Sequence, residues 1–193
     1  MKIFNAPFNY YRLVYKGKLT HDLLIPLCMA MPAGFLILGI PGEAQILGEN
    51  GLFDKFTQFL PILGGFYIAA LTVILTQDHK ALKSKIIGSN APKLPSDGES
   101  LTRARFLAIL FGYLSFASFF LFLLIISVET LAPGFSKILP AGVQYISKIS
   151  VVLIVLFLLS QIFVATMIGL YYMSDRLYRS DQQASFRKKI PPA

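Results

Sequence analysis

The sequence predicts an all-α integral membrane protein, a bundle of four transmembrane helices with both termini in the cytoplasm. Three observations carry that expectation. The 193 residues are 55% hydrophobic and only 15% charged, with a mean hydropathy of +0.63, whereas globular domains carry about one quarter charged residues. The apolar residues are blocked into four runs of the length hydrocarbon demands, roughly 20 residues of helix. The basic residues collect in alternate connections between those runs.

Taken in order, the first span covers 23–40, "LLIPLCMAMPAGFLILGI". It is the shortest run. It follows a long aromatic and basic segment and lacks a small-x-small cleavage site after it, so it reads as a retained helix and not a secretory signal. Pro26 and Pro32 lie inside it, each removing a backbone donor and able to kink the helix. The second span, 56–76, has Pro61 near its start. The third, 106–128, runs 23 residues without a charge, and the fourth, 149–173, gives 25 more. A buried core helix rarely stays uncharged on every face over such lengths.

Orientation follows from the charges. The N-terminal segment through Asp22 holds four basic residues and one acid, the 77–105 connection six and three, and the tail from Ser174 five and two. These alternate parts together carry 15 of the 18 basic residues. The positive-inside rule places them in the cytoplasm, and an even number of spans returns the chain to its starting side. The expected location is the bacterial inner membrane. Tyr10, Tyr11 and Tyr15, interleaved with Arg12, Lys16 and Lys18, read as a headgroup-level segment, and Tyr171 and Tyr172 as its counterpart at the end of the fourth span. Between spans three and four, Phe135, Ile138, Leu139, Val143 and Ile146 are expected to form a short helix on the outer surface.

No Asp, Glu, Lys, Arg or His falls inside the spans so drawn. Ion-coupled transporters usually keep one, because the coupling ion needs a partner at low dielectric. Uncharged polar residues remain. Ser115, Ser118, Gln161 and Thr166 suit interhelical hydrogen bonds of roughly 0.6–2 kcal/mol each, either within one bundle or between subunits. Each span also has one pair of small residues four apart: Ala30 and Gly34, Gly65 and Ala69, Ala108 and Gly112, Ala165 and Gly169. Such pairs let helix backbones approach closely.

Motifs for chemistry are absent from the sequence. Cys28 is the single cysteine and His21 and His79 the only histidines, with no HExxH, CxxC, GxSxG or phosphate-binding glycine loop. The reading is therefore non-enzymatic, with no catalytic, cofactor or metal residues and no cofactor. The 77–105 connection has basic ends and a Gly/Ser/Pro-rich centre, "GSNAPKLPSDGES", which reads as a flexible linker. Ser100 or Thr102 is expected to cap the third helix. Clustered lysines beside a span normally meet anionic lipid, and the aromatic interleaving that stacks bases is missing, so direct nucleic-acid binding is not expected. With the C-terminal tail, this basic side offers Lys80, Lys83, Lys85, Arg103, Arg105, Arg187, Lys188 and Lys189 to a cytoplasmic protein partner.

The size, the four spans, the N-terminal "FNAPFNYYRLVYKGK" and the short basic cytoplasmic parts make the chain resemble the membrane subunit of the Kiwa anti-phage defence system. The resemblance is one of layout over the whole chain and carries no residue assignments. It implies a homo-oligomeric sensor and scaffold in the bilayer that registers phage attack at the envelope and works with a cytoplasmic DNA-binding effector. Two other readings stay open on the residues alone. One is an oligomeric pore lined by Ser115, Ser118, Gln161 and Thr166, and the other a lipid-modifying enzyme or carrier.

Overall fold

The computed structural model describes residues 8–15, 17–39, 46, 48, 50–77, 80–86, 92–94 and 101–176. They are nearly all helical. Four helical stretches are long and apolar enough to cross a membrane: Thr20–Gly39, Leu52–Thr76, Arg103–Phe135 and Ala141–Ser174. The chain is a multi-pass membrane protein.

A short helix, α1 (Asn9–Arg12), precedes the first span. Gly17 then turns the chain at φ +87°, a left-handed conformation that glycine adopts without steric cost. The span opens with a π-helical turn, Thr20–Leu24, and continues as α2 (Ile25–Gly39). Pro26 explains the irregular start. It lacks the N–H that would close an ordinary helical turn onto the carbonyl of Asp22, four residues back. The second span is α3 (Leu52–Thr76), and a one-turn helix, α4 (Lys80–Lys83), follows it.

The last two spans are longer than expected. α5 runs Arg103–Ile138 and α6 runs Ala141–Tyr171, separated only by Leu139 and Pro140. The short outer helix expected around 135–146 is thus the tip of a helical hairpin. Its side chains Phe135, Ile138, Val143 and Ile146 stand exposed. Proline is well placed to start α6, since it has no N–H to leave unsatisfied. Thr102 caps α5, its Oγ accepting from the Arg105 N–H at 3.4 Å, while Ser100 lies outside the described residues.

Packing is not in chain order. α3 lies along α5, α5 along α6, and the first span along α6. Small residues set the closest approaches. A Cβ on Gly34 would sit 2.5 Å from Leu153 of α6, and one on Gly169 would sit 3.2 Å from Leu110 and Phe111 of α5. Of the four small-residue pairs, Ala30/Gly34 and Ala165/Gly169 are therefore interhelical contacts. Gly65 and Ala69 face outward; on α3 it is Gly64 that meets Phe119.

At about 1.5 Å per residue, the 36 residues of α5 extend about 54 Å, well beyond a hydrocarbon core of about 30 Å. The chain covers the excess itself. Phe106, Leu107, Leu110, Phe111 and Leu114 are all buried, and large outward-facing apolar side chains begin only at Phe116. The cover comes partly from the 77–105 connection, whose Leu82, Ile86, Leu94 and Leu101 join the same apolar core.

The described parts of this connection, 80–86, 92–94 and 101–105, thus form a folded cap, while most of the centre expected to be a flexible linker lies outside the described residues. The Ile86 N–H donates to Leu101 O at 3.0 Å, and that of Arg103 to Ser84 O at 3.2 Å. Val14 and Lys93 exchange N–H···O bonds of 2.9 and 3.0 Å, an isolated antiparallel bridge that ties the N-terminal segment to the cap.

Mutual bonding of this kind holds two Cα atoms about 5.5 Å apart, inside the range a disulfide spans. With Cys28 replaced by Ser, the double variant Val14→Cys/Lys93→Cys should form an intramolecular disulfide under mild oxidation. The measurement is a mobility shift on non-reducing gels, and a thiol pair that stays reduced refutes the bridge.

Candidate functional site

A polar cluster lies where the N-terminal segment, the first span and the α5–α6 pair meet. Its assembly begins with α1. Tyr10 is 1% exposed, its ring stacked on Tyr113 of α5 at 4.4 Å and 11°. Tyr11 meets the same ring edge-on at 5.2 Å and shares a 2.9 Å hydrogen bond with its hydroxyl. Phe8 adds an edge contact to Phe116 at 5.5 Å. Offset and edge-on aromatic pairs each contribute about 0.5–1.5 kcal/mol beyond their buried area, so three such contacts fix this segment against α5.

The Tyr10 hydroxyl points away from that stack and donates to Oδ1 of Asp22 at 2.7 Å. Tyr15 donates to the same oxygen at 3.5 Å. Oδ2 of Asp22 is buried with no partner among the described residues. The backbone of Asp22 is engaged as well. Its carbonyl, deprived by Pro26 of the usual helical donor, accepts from Nε2 of Gln161 on α6 at 3.3 Å. One residue thus joins three elements: its side chain holds the N-terminal segment, its carbonyl holds the fourth span, and it sits in the first.

Lys18 does not close an ion pair with that carboxylate. Its Nζ donates to the carbonyls of Tyr10, Tyr11 and Leu13, which lie at the C-terminal end of α1, where carbonyls lack helical partners. The ammonium also lies 5.7 Å from the centre of the Tyr10 ring, within cation–π range. All three of its donors are in use. Burial lowers its proton affinity below the ordinary lysine value, with the charge of Asp22 acting in the opposite direction. Burial likewise raises Tyr10 far above an ordinary phenol, with Tyr15 and Asp22 adding to the rise. Burial and then the Asp22 charge push Tyr15 up to about 12.

The other anticipated residues fall into distinct places. Gln161 and Ser118 are buried inside the bundle, and so is Ser115. Thr166 donates to Ile162 O at 2.7 Å, so the hydroxyl it shares with Tyr67 of α3 must receive its proton from the tyrosine. Two of the four polar residues thus bond within one chain. Tyr10 is buried within the protein. Tyr11 and Tyr171 are exposed, Tyr15 and Tyr172 half-buried, and the Tyr172 ring packs on Phe106 at 4.7 Å. Lys83, Lys85 and Arg105 are exposed on the cap and Arg103 is half-buried; Lys80 opens α4. The Lys80 side chain and Arg187, Lys188 and Lys189 lie outside the described residues.

Sequence reading placed Asp22 one residue outside the first span and left it as a flanking charge. Tyr113 passed as one more residue of an apolar run. A signal was present in both: Asp22 stands four residues before a proline, and a tyrosine ten residues into an α-helix needs a hydroxyl partner. No family model matches the chain, and no curated protein or solved structure matches it.

Removing the carboxylate leaves the buried Tyr10 hydroxyl without an acceptor, at a cost of about 1–3 kcal/mol. Asp22→Ala should lower the thermal midpoint in detergent and speed amide exchange in 8–15, and Tyr10→Phe/Asp22→Ala should recover part of the loss. Equal exchange in wild type and variant would contradict the latch. The tyrosines also set an alkaline limit. The folded-state value of Tyr15, about 12, exceeds its ordinary 10.0, so its stabilisation is complete below pH 10 and is lost as pH rises towards 12. Phenolate absorbance against pH should show a step near 12 that Tyr15→Phe removes.

Proposed function

We propose that this chain is a non-enzymatic sensor and scaffold of the bacterial inner membrane, acting as a homo-oligomer that engages a cytoplasmic effector protein in anti-phage defence. The observation that carries the reading is the folded cap. A simple tether between two spans has no need to bury Leu82, Ile86, Leu94 and Leu101 or to bridge to the N-terminal segment. A docking platform needs both, because a partner binds a pre-ordered surface without the entropic cost of ordering it.

The distribution of charge supports the same reading. The alternate segments that hold 15 of 18 basic residues belong on the cytoplasmic side by the positive-inside rule. Lys83, Lys85, Lys93 and Arg105 stand exposed on the cap. An acidic face on an effector fits such a surface, with long-range attraction raising the association rate. The Asp22 cluster gives the platform a route to the bilayer. A displacement of the first span against α6 pulls on the Asp22 carbonyl and, through its carboxylate, on the segment bridged to Lys93. The layout shared with the membrane subunit of the Kiwa system points to phage attack as the stimulus.

The test is co-purification from cells of the native host. Lys83→Glu/Lys85→Glu should reduce recovery of a soluble partner by about tenfold or more, since like-charge juxtaposition at an interface costs several kcal/mol, while membrane insertion stays intact. Undiminished recovery of the same partner rejects the cap as the docking surface.

A further inference from the structure

At the end of the bundle opposite the cap, a cavity of about 520 Å³ opens between the chain entering α3 and the α5–α6 hairpin. Its walls are apolar: Phe53 from α3, Leu124, Val128 and Phe135 from α5, and Val152 from α6. The volume falls in the range of small-molecule pockets, about 300–1,000 Å³. The polar side chains beside the walls are turned to their own backbone, with Ser127 Oγ donating to Leu123 O at 2.7 Å and Gln144 Nε2 to Leu139 O at 2.6 Å. Lys148 is the one charged residue among the described residues that line it, and its side chain is exposed.

We infer that this cavity binds one acyl chain of an anionic glycerophospholipid, whose headgroup phosphate is held by Lys148. The surroundings select the occupant. The hairpin tip that forms one wall presents Leu131, Phe135, Ile138, Val143 and Ile146 outward, a surface suited to bilayer and not to water. A trough opening into lipid receives a lipid tail, and a lysine at its polar margin complements an anionic headgroup. The flexible lysine stem lies along apolar wall while its ammonium reaches the phosphate. A bound chain would lie against Ile46 and Phe53 on one side and the hairpin on the other.

The chain has no tryptophan, so one introduced indole reports alone. Phe53→Trp places it at the cavity wall, where residue 53 is buried, and Phe66→Trp places it on the outward face of α3, where residue 66 is 54% exposed. Each full-length variant is reconstituted in vesicles of brominated phosphatidylglycerol and then diluted into an excess of unbrominated phosphatidylcholine. Fluorescence of the Phe66→Trp protein should recover with lipid exchange, while that of Phe53→Trp should remain quenched. Lys148→Glu should abolish the retained quenching, and Lys148→Ala should weaken retention about fivefold, the loss of one lysine–anionic lipid attraction. Native mass spectrometry supplies a readout free of the indole substitution: wild type should keep phosphatidylglycerol adducts that Lys148→Glu loses. Equal recovery of the two indoles, or adducts unaffected by Lys148→Glu, overturns the site. Equal retention of brominated phosphatidylcholine and phosphatidylglycerol overturns the headgroup assignment.

Discussion

Asp22 is the constraint on which the basic end of this protein depends. A carboxylate in the first turns of a membrane-spanning helix is costly to desolvate, and here two phenol hydroxyls converge on one of its oxygens. The same residue lends its carbonyl to Gln161 because Pro26 cannot use it. The proline, the π-helical turn and the interhelical bond are thus one event.

The length of α5 sets the second condition. A helix much longer than the hydrocarbon is thick must tilt, thicken the bilayer or find another cover. This chain folds its own connection and N-terminal segment over the first three turns of α5. The aromatic contacts of Phe8, Tyr10 and Tyr11 serve that cover, as do the buried leucines and isoleucine of the cap. Cap and latch are therefore coupled. The cap needs the N-terminal segment for the Val14–Lys93 bridge, and the segment is fixed in place by Tyr10 on Asp22 and on Tyr113.

The two ends of the bundle are consequently different in kind. The basic end is ordered by polar bonds within a folded cover, with Lys18 closing the turn of α1. At the opposite end the hairpin turns apolar side chains outward, with a cavity beside it. The two ends are joined by α5 and α6.

The sequence by itself determined the four spans, the all-helical class and the alternation of basic segments, because these follow from run length and composition, which need no partner. It also offered Ser100 or Thr102 as a cap, of which Thr102 makes the local bond, three residues long. Only the tertiary structure decided that the described parts of the 77–105 connection form a cap. Leu82, Ile86, Leu94 and Leu101 stand among Gly, Ser and Pro, and their burial depends on where α5 places Phe106 and Leu110. The burial of Tyr10 likewise rests on tertiary contacts, since a phenol goes where its hydroxyl finds an acceptor, and that acceptor is twelve residues away. Run length is a property of the chain alone, whereas the partner of a buried polar group is set by the helices that pack beside it.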